Sequence, residues 1–252
     1  IHKASVRDRL LHHAICRILY SYFDRKFIYD SYSCRIDKGT HRAINRFRRY
    51  GRIVSQNHTR TVWVLKGDIR RFFASIDHVA LKDILEKHIK DADALWLLEQ
   101  VIDSFHTKNK LGTGLPLGNL TSQLLVNIYM NEFDQFAKRE LKARYYIRYA
   151  DDFVILSSDK RWLEEQIPRI ALFLGERLKL VLHPDKTFIK TLASGVDFLG
   201  WVHFPHHRML RIATKRRMIR RIREKGTVET LQSYLGLLKH GNTFKMRQNI
   251  LK

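Results

Sequence analysis

The stretch Tyr145 to Leu156, YYIRYADDFVIL, decides the fold. Two runs rich in aromatic and β-branched residues flank Ala150-Asp151, a pattern that predicts a tight β-hairpin with its turn at the tip. Two adjacent carboxylates, Asp151 and Asp152, then sit where strands meet solvent. Held this close they repel, and ionising both is costly unless a cation neutralises them, so the motif points to a divalent metal. An Asp-Asp turn on an ordinary surface has the same local sequence, because Asp is a common turn residue, and the rest of the chain must decide between the two.

Upstream, TVWVLKGDI reads as a buried strand through Val62, Trp63, Val64 and Leu65 that ends at Asp68. A lone Asp after a strand is also an ordinary cap or turn. Together, however, one Asp at a strand end and an Asp-Asp tip about eighty residues later can converge on one sheet face. That arrangement suits two Mg²⁺ ions ~3.5–4 Å apart for in-line phosphoryl transfer.

Composition narrows the partner. The 252 residues carry 47 Lys and Arg against 25 Asp and Glu, a formal charge of +22. Such an excess calls for a polyanion, nucleic acid first and an anionic membrane surface second. No apolar run approaches the ~20 residues of a membrane span, and the first residues have no signal-peptide core, which predicts a soluble intracellular protein. Two cysteines, Cys16 and Cys34, make neither a disulfide framework nor a metal knuckle and fit a reducing compartment. The chain opens at Ile1 without Met, which predicts a cropped or processed N-terminus.

Around these carboxylates the chain alternates strands and helices. Val6, Leu10, Leu11, Ala14, Ile15, Ile18 and Leu19 repeat at helical spacing. A loop with Gly39 leads to a basic helix, with Thr40 as N-cap, Ala43, Ile44 and Phe47 on the apolar face, and Arg42, Arg46, Arg48, Arg49 and Arg52 on the polar one. A charge run of this kind is often a solvated face, but Arg35 and Lys38 so close to a Gly and a cap suggest phosphate handling. Asp77 is a predicted N-cap ahead of Val79, Leu81, Ile84, Leu85 and His88. ALWLLEQVIDSF forms the next helix, followed by a Lys-Asn-Lys loop, then Gly112, Gly114, Pro116 and Gly118 before a long helix. No Gly-Lys-Ser or Gly-Lys-Thr follows these glycines, so they are no nucleotide P-loop. KRWLEEQIPRIALFLGERLKL is amphipathic, and VLHPDKTFIK reads as strand and turn. GVDFLGWVHFPHHRMLR reads as an aromatic-rich hairpin. The last basic helix sets Lys215, Arg216, Arg217, Arg220, Arg221 and Arg223 against Ile212, Ile219 and Ile222. His203, His206 and His207 lack accompanying Cys or acidic residues and read as turn histidines rather than a zinc site. The pattern predicts an α+β body with an antiparallel sheet.

The order GDIRRFF, GLPLGNLTSQ, YADD, HPDKT, FLGW resembles the consecutive catalytic blocks of reverse transcriptases over nearly the whole chain. Within that superfamily, LGNLTSQ, FPHHRMLR and LQSYLGLLKHGNT resemble the diversity-generating retroelement enzymes. Group II intron enzymes more typically carry QG-x-x-x-SP, where this chain has Leu117 and Gln123. The resemblance implies a right-hand polymerase fold: fingers over 1–60, an antiparallel-sheet palm over 61–206 with a helical fingers insertion near 79–116, and the start of a helical thumb over 207–252.

It further implies that Asp68 and Asp151 are the main metal ligands, that Asp152 assists, and that Ile69 offers only its carbonyl. Phe73 falls on the steric gate against a ribose 2′-OH, though core packing would also explain it. Arg35 and Lys38 fall on the positions that contact the incoming triphosphate. Leu117 and Gln123 flank the same nucleotide site, and an aliphatic Leu117 implies error-prone copying, opposite template adenines for the diversity-generating type. Lys186 falls on a lysine proposed to protonate pyrophosphate, or is an exposed turn lysine. Phe198, Leu199, Gly200 and Trp201 fall on the primer grip, and Arg216, Arg217, Arg220 and Arg221 could lie along a duplex backbone.

The implied cofactors and substrates are two Mg²⁺ ions and dNTPs. The implied partners are template RNA and primer, their RNA–DNA heteroduplex, and a small basic accessory protein, in a bacterial, archaeal or phage-encoded cytoplasmic enzyme. A group II intron, retron or phage-defence reverse transcriptase is the nearest rival, and an RNA-binding scaffold with an unused polymerase centre is the rival of another class.

Overall fold

The computed structural model describes residues 5–108 and 110–251, the side chains at 225, 249 and 251 aside; Asn109 of the Lys-Asn-Lys stretch lies outside the described residues. Helix α1 (Val6–Phe23) is closed at its start by a capping box, in which the Ser5 hydroxyl and the Asp8 carboxylate each satisfy the other's backbone N–H. Its helical spacing is as predicted, but only part of the expected face is covered. Ile15 enters the core with Cys16 and Phe23, and Leu19 packs against it, whereas Val6, Leu10 and Ile18 face outward.

Helix α2 (Thr40–Val54) buries Ala43, Ile44 and Phe47 as expected. Gly39, at φ 98°, is its N-cap, so Thr40 is the first helical residue rather than the cap, and its hydroxyl reaches the Tyr149 hydroxyl at 3.3 Å. Strand β1 (Trp63–Gly67) leads through a short helix α3 (Phe72–Ser75) into α4 (His78–His88) and α5 (Ala92–Asp103). The Asp77 carboxylate accepts the Ala80 N–H at 2.9 Å, as its N-cap role predicts, but Val79 is exposed.

The glycine-rich loop ends at α6 (Leu120–Arg139), the spine of the molecule. Its buried residues run round most of its circumference, from Leu124 and Tyr129 to Phe133 and Ala137, because α1, α4, α7 and the sheet all pack on it. After it come β2 (Tyr146–Tyr149), β3 (Asp152–Ser157), α7 (Lys160–Leu178), a 3₁₀ turn at Pro184–Lys186 and β4 (Phe188–Thr191). These strands form one antiparallel sheet in the order β2-β3-β1-β4. Period-2 alternation divides its faces. Leu65, Phe153 and Ile155 pack toward α6, while Val64, Val154 and Leu156 pack toward α2. Gly67 is required where it stands, since a Cβ there would lie 2.2 Å from the Phe153 ring.

The aromatic segment predicted as one hairpin is a three-stranded meander, β5 (Val196–Phe198), β6 (Trp201–His203) and β7 (Arg208–Leu210). Leu199 and Gly200, at φ 52° and 83°, make a two-residue turn that matches strand twist. Helices α8 (Ile212–Lys225), α9 (Val228–Leu238) and α10 (Phe244–Leu251) follow. A third core joins them to the meander and α2 through Ile44, Trp201, Leu210, Met218 and Leu238. Met218 takes the central place on α8, and Ile212, expected on its apolar side, is exposed. Among the described residues, no helix is long and apolar enough to cross a membrane.

Candidate active site

Strand register brings the carboxylates together. Gly67 pairs with Phe153 across β1 and β3, so the next step sets Asp68 opposite Asp152, with Asp151 in the turn beside it. Lys66 pairs with Phe188 across β1 and β4, and the 3₁₀ turn that precedes β4 brings Lys186 to the other side of Asp68. Asp68 is therefore flanked by a carboxylate on one side and an ammonium on the other. Lys186 Nζ donates to both Asp68 oxygens, at 3.1 and 3.3 Å.

At the hairpin tip the sequence reading and the structure agree. Tyr149 pairs with Asp152 around Ala150 and Asp151, and Ala150 takes the left-handed conformation at φ 53° that starts a tight turn. Burial pushes the Asp151 carboxyl up to about 6, with the charges of Asp152 and Asp68 acting the same way. Asp152 is raised as well, again chiefly by burial, although the Lys66 ammonium opposes it. Lys66 Nζ stands 3.5 Å from Asp152 Oδ1, an ion-pair distance without hydrogen-bond geometry, and that buried oxygen has no hydrogen-bond partner among the described residues.

A buried, mutually repelling carboxylate set with an orphaned oxygen fits a divalent cation chemically. As the side chains stand, no group of three His, Cys, Asp or Glu among the described residues is ready to hold one. Lys186 and Lys66 instead supply the positive charge. Ile69 is buried, leaving only its backbone able to contribute, and a bridge to Leu182 follows the bond from the His183 N–H to the Asp68 carbonyl.

Other expected residues are placed differently. Arg35 does not present its guanidinium to a phosphate. Nε and Nη2 bond Asp24, and Nη1 bonds the carbonyls of Ile28 and Ser31, so the side chain closes the loop before α2. Lys38 donates to the Tyr29 carbonyl at 2.8 Å and lies over the Tyr29 ring. Phe198 and Trp201 are core residues, which leaves the Leu199-Gly200 turn as the part of that block able to meet a ligand. Phe73 is half-buried beside Phe72, and Leu117 is 59% exposed on the loop before α6, which carries the half-buried Gln123. Arg216, Arg217, Arg220 and Arg221 are all exposed on α8. His203 is buried with Nε2 3.2 Å from the Phe198 carbonyl, while His206 lies against His58 and His207 against Phe204, so these histidines share no metal.

Two contributors escaped the sequence reading. Lys66 lies two residues before Asp68 and so on the same strand face, a signal that was available. Arg148 is fully buried beneath the hairpin, where its guanidinium bonds both Asp134 oxygens at 2.7 and 2.8 Å, the Ser31 hydroxyl and the Ala150 carbonyl at the tip. A charged residue inside an apolar strand announces a buried partner, but nothing local names Asp134 as that partner.

Residues 1–203 match the family described as reverse transcriptase (RNA-dependent DNA polymerase). Protein YkfC of Escherichia coli (strain K12) is 29% identical over 243 residues, covering 82% of this chain and 62% of the relative. The group II intron-encoded protein LtrA of Lactococcus lactis subsp. cremoris is 25% identical over 263 residues, covering 77% of this chain and 42% of the relative. The chain thus spans about half the length of these relatives. Apo telomerase from Candida tropicalis superimposes with a TM-score of 0.60 at 11% identity, over 77% of this chain and 39% of that one. Telomerase from Candida albicans in complex with a TWJ fragment of telomeric RNA gives 0.59 at 12%, over 96% and 47%. The likeness establishes a polymerase fold built of helices and antiparallel sheets.

Proposed function

Because the chain belongs to the reverse transcriptase family, we propose that it is an RNA-directed DNA polymerase that extends a primer 3′-OH on an RNA template with dNTPs. The observation that carries this reading is the register that sets Asp68 opposite Asp152, beside Asp151 and within reach of Lys186. When bound, two Mg²⁺ ions would activate the attacking oxygen and support the leaving group. Asp68, Asp151 and Asp152 would hold them, with the Ile69 carbonyl as a further donor. Lys186 keeps an ammonium proton at the edge of this site, placed to be passed to departing pyrophosphate. Arg148 holds the Ala150 carbonyl and with it the tip that carries Asp151.

In this reading residues 1–60 are fingers, 61–206 the palm with the 79–116 insertion, and 207–252 the start of the thumb, whose exposed α8 arginines grip the heteroduplex backbone. Sequence is read by base pairing, so the protein need hold only backbone and shape. Primer extension with Mg²⁺ on an RNA template tests the reading. The parent should make cDNA, while Asp151→Asn should make none and still bind RNA; an RNA-binding scaffold would bind RNA and make no DNA in either form.

Within the family we assign the chain to the diversity-generating type, on Leu117 and on the LGNLTSQ, FPHHRMLR and LQSYLGLLKHGNT blocks; this type works with a small basic accessory protein. Leu117 cannot supply the amide hydrogen bonds of a Gln, so the gap between correct and incorrect nucleotides narrows by ~1 kcal/mol, roughly fivefold in error rate. Sequencing cDNA from the parent and from Leu117→Gln decides it. Equal accuracy at template adenines and at other bases in both would leave a faithful enzyme of the group II intron kind, toward which the intron-encoded relatives point.

A further inference from the structure

A second cationic region lies away from the carboxylates. A cavity of about 190 Å³ is bounded by α2, the β6–β7 turn and the end of α9, and Arg48, His207, Arg208, Lys239 and His240 line it, with no carboxylate among the described residues there. It lies below the size of a site for a drug-like molecule and suits a phosphate group. Arg208 is fixed at its rim, with Nε donating to the His240 carbonyl and Nη2 to Asn45 at 2.9 Å, yet its buried Nη1 has no hydrogen-bond partner among the described residues. Burial, and then the Arg48 charge, hold this guanidinium below its usual range. A fixed, half-buried cation with a free donor and, among the described residues, no counterion is the complement of an anion.

Beside it a hollow of about 520 Å³ shares Arg48 and adds Arg49, Arg52 and His58, again with no acid among the described residues that line it. The buried Nδ1 of His58 is likewise unpartnered among the described residues. Arg48 and Arg52 stand one turn apart on α2, so a strand lying along the helix meets them with successive phosphates. The Leu192 N–H at the cavity bonds the Val62 carbonyl ahead of β1, while Asp68 follows the far end of that strand. Six residues at about 3.3 Å each separate the two sites by ~20 Å along the strand.

We propose that α2 and the β6–β7 turn form a second RNA-binding surface, which grips successive phosphates of a strand lying outside the polymerase centre. Arg208 and Lys239 hold one phosphate in the smaller cavity, Arg49 and Arg52 hold the next, and Arg48 serves both. The inference needs only a phosphodiester backbone and stands apart from the polymerase reading.

The test uses the full chain with an unlabelled short RNA–DNA hybrid at saturation and a labelled single-stranded RNA as probe, titrated at several salt concentrations. Arg48 and Arg49 are exposed and make no hydrogen bond among the described residues, so R48Q/R49Q should fold. The parent should bind the probe in the presence of the hybrid. The double variant should bind it at least tenfold more weakly, with the slope of log affinity against log salt flattened by about 1.4, about 0.7 for each of the two cations removed. Primer extension on the hybrid should be unchanged. Equal affinity and slope in the two proteins would overturn the proposal. So would displacement of the probe by polyglutamate at matched charge, which would mark a site for acidic protein, or by millimolar pyrophosphate, which would mark a small-anion pocket. If the parent extends no primer, the polymerase reading fails, but the probe still distinguishes parent from variant.

Discussion

Lys186 Nζ lies 3.1 Å from Asp68 Oδ1 and 3.3 Å from Oδ2, although 118 residues separate the two in the chain. The antiparallel pairing of β1 with β4 lays the 3₁₀ turn before β4 beside the end of β1, and the contact sets a proton donor against a carboxylate that belongs to the proposed metal site. Because Lys186 is half-exposed, the ion pair itself contributes little to stability, about 0–1 kcal/mol. Lys186→Met should therefore leave the unfolding midpoint almost unchanged while lowering the rate of nucleotide addition by about 10² to 10⁴. Single-turnover primer extension measures the second quantity and denaturant unfolding the first. A normal rate would return Lys186 to the standing of a turn lysine.

Phe73 is half-buried and its ring meets Phe72 edge-on at 5.5 Å between centroids. If part of the ring faces the nucleotide sugar, Phe73→Ala admits ribonucleotides, and the ratio of rNTP to dNTP incorporation should rise by at least tenfold. An unaltered ratio with lower stability would make the ring purely a core residue.

The Arg148–Asp134 pair is fully buried, and Tyr146, Asn127 and Ser31 complete its hydrogen bonds. Removing one partner strands a charge, so Arg148→Met should destabilise by about 3–5 kcal/mol. Adding Asp134→Leu should recover part of that loss, since the stranded carboxylate disappears. Chemical unfolding of the two variants measures both steps. Losses that simply add would show that the pair does not act as a unit.

Burial, aided slightly by the nearby Arg208 charge, lowers His203 to about 4 from an ordinary 6.5. Between those values the unfolded chain binds a proton that the native one excludes, so stability rises with pH across that window and falls as pH drops from 6.5 to about 4. The slope from this group reaches about 1.4 kcal/mol per pH unit. Denaturant unfolding at stepped pH should show His203→Phe with a visibly shallower decline than the parent, and identical slopes would exclude His203 as a source of acid sensitivity.

The hairpin and the strand before Asp68 were legible because their signals are local: alternation, β-branching and a turn break lie within a dozen residues. The Asp77 cap was legible for the same reason. Thr40 was misread as a cap because Gly39 can adopt φ 98° and begin the helix itself, a choice that depends on the loop Arg35 closes. The outward side of α1 was misread because periodicity gives the phase of an apolar stripe but not how much of it the neighbouring helices cover. Arg35, Phe198 and Trp201, to which the resemblance gives binding roles, have side chains packed in the interior, a placement that no local signal announces.

The sequence by itself determined the α+β class, the hairpin with Asp151 at its tip, the third carboxylate at Asp68 and the cationic surplus, because each depends on residue type and short spacing. Only the tertiary structure decided what those carboxylates face. Pairing β1 with β3 and β4 brought Asp152 and the turn that carries Lys186 to opposite sides of Asp68, and packing α6 beneath the sheet buried Asp134 where Arg148 could meet it. Register is a property of paired strands and burial a property of the whole core, so neither can be read from one stretch of chain.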